Sequence, residues 1–350
     1  MTTQSYWAAI KAGIEQAMLG DERVLLMGQA DTDYGDAYTH LTSGELLPQF
    51  GTERVRMCPL SAADLVSAAI GAALGGLKPL VELSSATGLS VLDPLVNSAA
   101  SLGYKSGGQV SVPLVIRMVS GPDQPFPSLA NWIAQIPGLK VLVPSTVCDA
   151  RYMLSEALAD PDPTVIFEPC RLYSKEEPCH PRPTGYNAVQ ALVRRAGTDL
   201  TLIAYGAYLD EALAVAEQLL VSAGRSIEVI DLRCLRPLDC TTLFASVRKT
   251  HRVVLVDECW KTGSFAAEIG MLLVEHCWSD LYAPIRRVCS FELPALGPEH
   301  LSQTARPSRH DIETAVWSVL GEGGQGRRRL GAGGDGDKGD FDPSDVDIPT

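Results

Sequence analysis

Six histidines, nine cysteines and two closely spaced aspartates are the residues whose types could do chemistry, and their spacing narrows what that chemistry is. None of His40, His180, His251, His276, His300 and His310 has a companion at metal-ligand spacing, and none belongs to a nucleophile motif. His251 and His276 sit in apolar runs and read as structural; His300, in an irregular stretch, is a candidate to face a pocket. The cysteines contain no CxxC pair, so neither a zinc cluster nor a disulfide framework is indicated. Cys148, Cys234, Cys259 and Cys289 lie in or beside apolar segments, where packing thiols in a reducing cytosol are expected. Asp31 and Asp33 follow Gly28 without the further oxygen ligands that a divalent ion takes, so no metal site is assigned and a solvated turn is expected. The loop after Gly28 has neither GxGxxG nor GxxxxGK[ST], which removes a dinucleotide cradle and a P-loop.

The segment PLSAADLVSAAIGAALGG, from Pro59, is more informative. Ser61 is placed to cap a helix, and Asp64, three residues on, lies near its positive end. Ala63, Ala68, Ala69, Gly71, Ala72 and Gly75 allow close approach by another helix or by a ligand, and composition alone does not separate the two.

The elements that must position these residues form a βα alternation. RVLLMG (23–28), KPLVEL (78–83), VPLVIRM (112–118), LKVLVPS (139–145) and TVIFEP (164–169) are continuous apolar runs of strand length. Helical patterns at 4–18, 61–75, 91–102 and 147–159 separate them, as in a parallel sheet covered on both faces. KEEPCHPRPTG has linker composition, and the rhythm restarts after it. DLTLIAYG, IEVIDLR, HRVVLVDE and APIRRVCS read as strands, and LDEALAVAEQLLVSAG as a helix ended by Gly224. FAAEIGMLLVEHCW reads as another helix. Chemistry in such domains sits in loops beyond the C-terminal ends of strands.

The chain has 350 residues, 46% of them hydrophobic, which is enough for two ordinary domains. A formal charge of −13 argues against nucleic-acid partners. No apolar run reaches about 18 residues, so no membrane span is expected. No secretory signal is visible either, and a cytoplasmic location is expected.

Taken in order, RVLLMGQADTDYG, FGTERV, PLSAADLVSAAIGAALGGLKPLVEL, SLGYKSGGQVSVPLVIR and IPGLKVLVPSTVCDARYMLSEALADPDPTVIFEPCRLY resemble the beta subunit of the thiamine-diphosphate-dependent E1 component of 2-oxoacid dehydrogenases, a transketolase-like family. GTDLTLIAYG, EVIDLRCLRPLD, SVRKTHRVVLVDE and FAAEIG continue the resemblance to near Val319. It implies an α/β chain with a transketolase-type pyrimidine-binding domain over 1–175 and a linker over 176–185. A transketolase C-terminal-like domain follows over 186–320; beyond the resemblance, the Gly/Asp-rich composition of 321–350 is expected to give a disordered tail. The resemblance also implies an E1-alpha-like partner, usually in an α₂β₂ assembly, with thiamine diphosphate at the alpha–beta interface and Mg²⁺ held by the alpha chain. The implied substrate is pyruvate or another 2-oxoacid, and the acceptor is a lipoyl domain or carrier protein.

Within this resemblance the departures gather in one pocket. The family places a proton-relay glutamate where this chain has Ala62, which has no side-chain donor or acceptor. Gln29 and Ala30 stand where the family has Glu-Asp after Gly28, and Leu83–Gly88 replaces a segment that tends to be aromatic. The loop VSGPDQPFPSLANW is shortened and lacks the family's histidine. The resemblance therefore gives no secure catalytic residue. Asp64, as a substitute polar group, and His300, in an irregular segment near the substrate entrance, are the candidate catalytic residues; Gln29, Ala62, Ser85, Ala86 and Gly88 are expected on the cofactor side, and Gln124 and Ser128 on the substrate side. Two other functions stay open at this stage: specialised transketolase-like ketol transfer from a sugar phosphate, and a non-catalytic subunit that stabilises an alpha partner.

Overall fold

The computed structural model describes residues 3–29, 40–120, 128–293 and 305–321. In chain order the first half contains β1 (Thr3–Ser5), α1 (Tyr6–Gly20), β2 (Val24–Gln29), α2 (His40–Arg54), β3 (Val55–Cys58), α3 (Ala62–Leu74), β4 (Lys78–Ser84), α4 (Ala100–Lys105), β5 (Val115–Ser120), α5 (Ala130–Ala134), β6 (Lys140–Leu142), α6 (Val147–Ala159), β7 (Thr164–Pro169) and β8 (Glu176–Pro178). The second half contains β9 (Leu192–Arg195), β10 (Leu200–Ala204), α7 (Leu209–Ala223), β11 (Ile227–Asp231), β12 (Cys234–Arg236), α8 (Cys240–Thr250), β13 (Val253–Trp260), α9 (Phe265–Cys277), β14 (Arg286–Ser290) and α10 (Arg309–Leu320).

Among the described residues the strands form a seven-stranded sheet, β12-β6-β7-β5-β4-β2-β3, a five-stranded sheet, β14-β13-β10-β11-β9, and the ribbon β1-β8. Both larger sheets are parallel except at one edge, where β12 runs against β6 and β9 against β11. The apolar runs become strands buried on both faces: Val24–Gly28 and Thr164–Pro169 are buried throughout. That is what helices on both sides of a parallel sheet require.

Local chemistry sets the helix ends. Ser5 Oγ accepts the Ala8 N–H at 3.1 Å, so α1 starts at Tyr6 and residues 3–5 are left to pair with β8. Thr146 caps α6 through the Asp149 N–H at 3.2 Å, and that helix occupies 147–159 as expected. Gly224, at φ 64°, takes the left-handed conformation that ends α7. The pattern at 91–102 does not give one α-helix: a 3₁₀ segment covers Ser85–Val91, a π-helical turn covers Pro94–Ala99, and α4 starts only at Ala100. Pro94 lies inside that stretch and lacks the N–H that a continuous helix would use. The proline-rich segment after Cys170 carries β8, and β12, from the second half, extends the first sheet.

One apolar cluster runs from the α3 side of the first sheet into the second half, joining Ala62, Leu65 and Leu83 with Leu235, Leu255 and Ile269. A buried polar network adds a second tie. Asp149 on α6 accepts from Arg233 Nη2 at 2.8 Å, from Tyr186 Oη at 2.9 Å and from Arg194 Nη2. Arg194 Nη2 also donates to Asp231 at 2.8 Å, and Ser145 Oγ donates to the other oxygen of Asp231 at 2.8 Å. Burial alone would raise the Asp149 pKa, but Arg233 and Arg194 outweigh it and hold the carboxyl below its ordinary value.

Candidate active site

The order β5-β4-β2-β3 sets four parallel strands side by side, so the segments leaving their C-terminal ends share one edge of the sheet. Gln29 closes β2, α3 follows β3, the 3₁₀ segment Ser85–Val91 follows β4, and Ser128 lies beyond β5. Gln29, Ala62, Ser85, Ala86, Gly88 and Ser128 are thus all carried by segments that leave this edge. Gln124 and His300 lie outside the described residues, as do Asp31 and Asp33.

Gln29 is half-buried, and its Nε2 donates to the Leu60 carbonyl at 3.0 Å, tying the end of β2 to the approach to α3. Ser61 caps α3: its Oγ accepts the Asp64 N–H at 3.2 Å and donates to Asp64 Oδ2 at 2.7 Å. Asp64 is exposed while Ala62 is buried at 4% exposure, so the two do not share a face. Asp64 thus points away from Ala62, and its carboxylate is engaged by the helix cap.

Ala62 packs in the same apolar cluster as Leu65, Val81, Leu83, Met118 and Leu129. Ser85 follows Val81 and Leu83 beyond the end of β4 and is itself buried at 4% exposure. Its Oγ has no hydrogen-bond partner among the described residues. A buried hydroxyl left unpaired loses its bonds to water without replacement, which marks it as a group able to receive a ligand. Gly88 is also buried; a Cβ there would lie 2.5 Å from Leu129 Cδ1, so Leu129 fills the space that a larger residue would need. Ala86 is exposed on the same segment, and its N–H donates to Ser84 Oγ at 3.3 Å. Ser128 serves local structure: its Oγ accepts from the Ala130 N–H at 3.1 Å, and its carbonyl accepts from Cys259 Sγ at 3.2 Å.

Beneath these segments lies a charged core whose role sequence reasoning did not assign. Arg117 on β5 is 1% exposed and forks onto Glu168 of β7 at 2.8 and 2.7 Å. It also donates to Glu82 on β4, and Tyr173 Oη donates to Glu168 at 3.1 Å. Burial by itself would lower the Arg117 pKa, but Glu168 and Glu82 more than offset that and keep the guanidinium charged. Charges interrupting the apolar runs VEL, VIRM and IFEP are the sequence signal that such a network exists. It fixes three adjacent strands in register directly before Ser85.

Two family models match the chain: the transketolase pyrimidine-binding domain over residues 2–175 and the transketolase C-terminal domain over 189–312. Pyruvate dehydrogenase E1 component subunit beta-2 of Oryza sativa subsp. japonica is 37% identical over 322 residues, covering 88% of this chain and 84% of that protein. Subunit beta-1 of Arabidopsis thaliana is 37% identical over 321 residues, covering 88% and 86%. Both are mitochondrial proteins by name, and this finding overturns the expectation of a cytoplasmic location. Among solved structures, a split-gene transketolase described as an inactive beta4 tetramer shares the fold, with a TM-score of 0.74 at 19% identity over 90% of this chain and 98% of that one.

Proposed function

The chain belongs to the E1-beta branch of the transketolase family, and we propose from that premise that it is the beta subunit of a thiamine-diphosphate-dependent enzyme of the pyruvate dehydrogenase type. The observation that carries the reading is identity to pyruvate dehydrogenase E1 beta subunits through both domains. It favours 2-oxoacid chemistry over ketol transfer from a sugar phosphate and over a non-catalytic role. The finer assignments are ours: an E1-alpha-like partner in an α₂β₂ assembly, the cofactor at the alpha–beta interface, Mg²⁺ held by the alpha chain, and transfer to a lipoyl domain or carrier protein.

The pocket residues fit the cofactor's aminopyrimidine side in one respect and depart from the family in another. The orphan Ser85 hydroxyl beside an apolar wall suits the polar edge of a heteroaromatic ring. Ala62 supplies no proton relay, so this chain binds and orients without a carboxylate at that position. When bound, the cofactor supplies the nucleophilic carbon and the electron sink for 2-oxoacid decarboxylation. In this reading Ser85 donates or accepts one hydrogen bond at the ring edge, and Ala62 with Leu83 keeps water from that side. Gln29 holds the end of β2 to the start of α3, and the Arg117 network keeps β4 and β5 rigid behind Ser85.

Co-purification with an E1-alpha-like chain, followed by an assay of 2-oxoacid decarboxylation, tests the proposal. Turnover by the assembled pair, with neither chain active alone, is expected; an assembled pair inert towards every 2-oxoacid would overturn it.

A further inference from the structure

Cys148 and Cys179 lie apart in sequence, with a separation of 31 residues, yet their Sγ atoms stand 2.7 Å apart. Both side chains are half-buried, within reach of a small oxidant. Neighbouring contacts hold β8 and the segment after it against the first turns of α6. The Val147 N–H donates to Glu177 at 3.2 Å, and Tyr152 Oη donates to the His180 carbonyl at 2.7 Å. That same carbonyl is 3.9 Å from Cys148 Sγ. The separation of the sulfurs exceeds a covalent S–S bond of about 2.05 Å by little, so closure needs only a small movement of the two side chains.

We propose that Cys148 and Cys179 are a modification site, a dithiol that closes to an intramolecular disulfide when a small-molecule disulfide such as oxidised glutathione is present. One of the two sulfurs, as its thiolate, attacks a glutathione sulfur, breaking that S–S bond and releasing one glutathione thiol. The second cysteine thiolate then displaces the bound glutathione, so the Cys148–Cys179 bond forms and a second glutathione thiol leaves. Two cysteine thiols are oxidised, one glutathione disulfide is reduced, and the two protons pass to the departing thiolates. Burial and the neighbouring Cys179 push the Cys148 thiol up, which keeps that sulfur protonated and makes closure slow at neutral pH.

The bond would staple the linker to α6 one residue from Asp149, the hub of the polar network between the two halves. Closing a loop of this length restricts the unfolded chain and raises thermal stability.

The test uses the full chain, incubated with oxidised glutathione or with dithiothreitol, then alkylated, digested without reduction and mapped by mass spectrometry. The expected result is a cross-linked peptide pairing Cys148 with Cys179 and a rise in Tm of about 5 °C that dithiothreitol reverses. Cys240→Ser is expected to keep the cross-link and Cys179→Ser to abolish it. If both cysteines remain separately alkylated after oxidation, or if each carries its own glutathione, the proposal fails. Because the mapping is done on the unmodified sequence, it does not depend on any variant folding.

Discussion

Leu129 stands where a side chain at Gly88 would go: a Cβ built on Gly88 lies 2.5 Å from Leu129 Cδ1, both residues are buried, and Leu129 belongs to the same apolar cluster as Ala62. The space over Gly88 is thus filled by an aliphatic residue that follows β5 in the chain. Gly88→Ala is expected to cost about 1–3 kcal/mol, because Leu129 must leave its rotamer. Leu129→Ala alone costs about 2–5 kcal/mol through the cavity it leaves. The double variant should be more stable than the sum of the two losses implies, by about 1 kcal/mol, in a double-mutant cycle read from urea unfolding.

Asp64→Asn separates the helix cap from the pocket. Its carboxylate accepts from Ser61 at an exposed helix start, so the variant should lose less than about 1 kcal/mol of stability. Thiamine diphosphate affinity of the assembled pair should not change. A large loss of affinity in calorimetry would return Asp64 to the site.

Removing Arg117 leaves two buried carboxylates, Glu82 and Glu168, without their shared cation. Arg117→Leu should destabilise the chain by about 3–5 kcal/mol, measured by chemical denaturation. Replacing all three residues by apolar ones of similar volume should recover much of that loss, because the desolvated charges go together.

The acid limb of the stability curve should report Asp149. Its folded-state pKa is lowered, so the stabilisation is fully present above the unfolded value of about 3.9 and is lost as pH falls through the lower folded value. Asp231 beside it is shifted the other way, raised chiefly by burial, so its contribution weakens as pH rises through the folded pKa. Asp149→Asn should therefore be less stable than the native chain at pH 7, and the difference should narrow below about pH 4 in a pH series of urea unfolding. A gap independent of pH would assign the loss to packing instead.

How much was legible follows from which interactions are local. Apolar runs such as Thr164–Pro169, the cap at Ser61 and the left-handed stop at Gly224 depend on neighbours in sequence, and they appear where the pattern puts them. The pattern at 91–102 suggests one helix, but Pro94 lacks the N–H that a continuous helix would use, and the stretch divides into 3₁₀, π and α segments. Pairing of β12 with β6 and of β1 with β8 joins segments far apart in the chain, and no local signal announces it. The same holds for Cys148 beside Cys179. In the pocket, the resemblance named position 62 and the Ser85–Gly88 segment. That Ser85 is buried without a partner among the described residues, that Asp64 turns away, and that Leu129 fills the space over Gly88 are consequences of tertiary packing.

Ala62→Glu would place a carboxylate at a position 4% exposed among apolar side chains. Burying it unpaired should destabilise the isolated chain by several kcal/mol or force it to stay protonated. In the assembled pair, turnover of 2-oxoacid should rise roughly 10²-fold if position 62 alone limits the proton relay, as measured in a steady-state decarboxylation assay. An unchanged rate in a folded, cofactor-loaded pair would show that the relay is supplied elsewhere.

The most direct measurement is calorimetric titration of thiamine diphosphate into the assembled alpha–beta pair, with the native beta chain and with Ser85→Ala. The account predicts binding by the native pair and an affinity about threefold to tenfold weaker for Ser85→Ala, the loss of one hydrogen bond. No binding by the assembled native pair, or equal affinity for both chains, would contradict it.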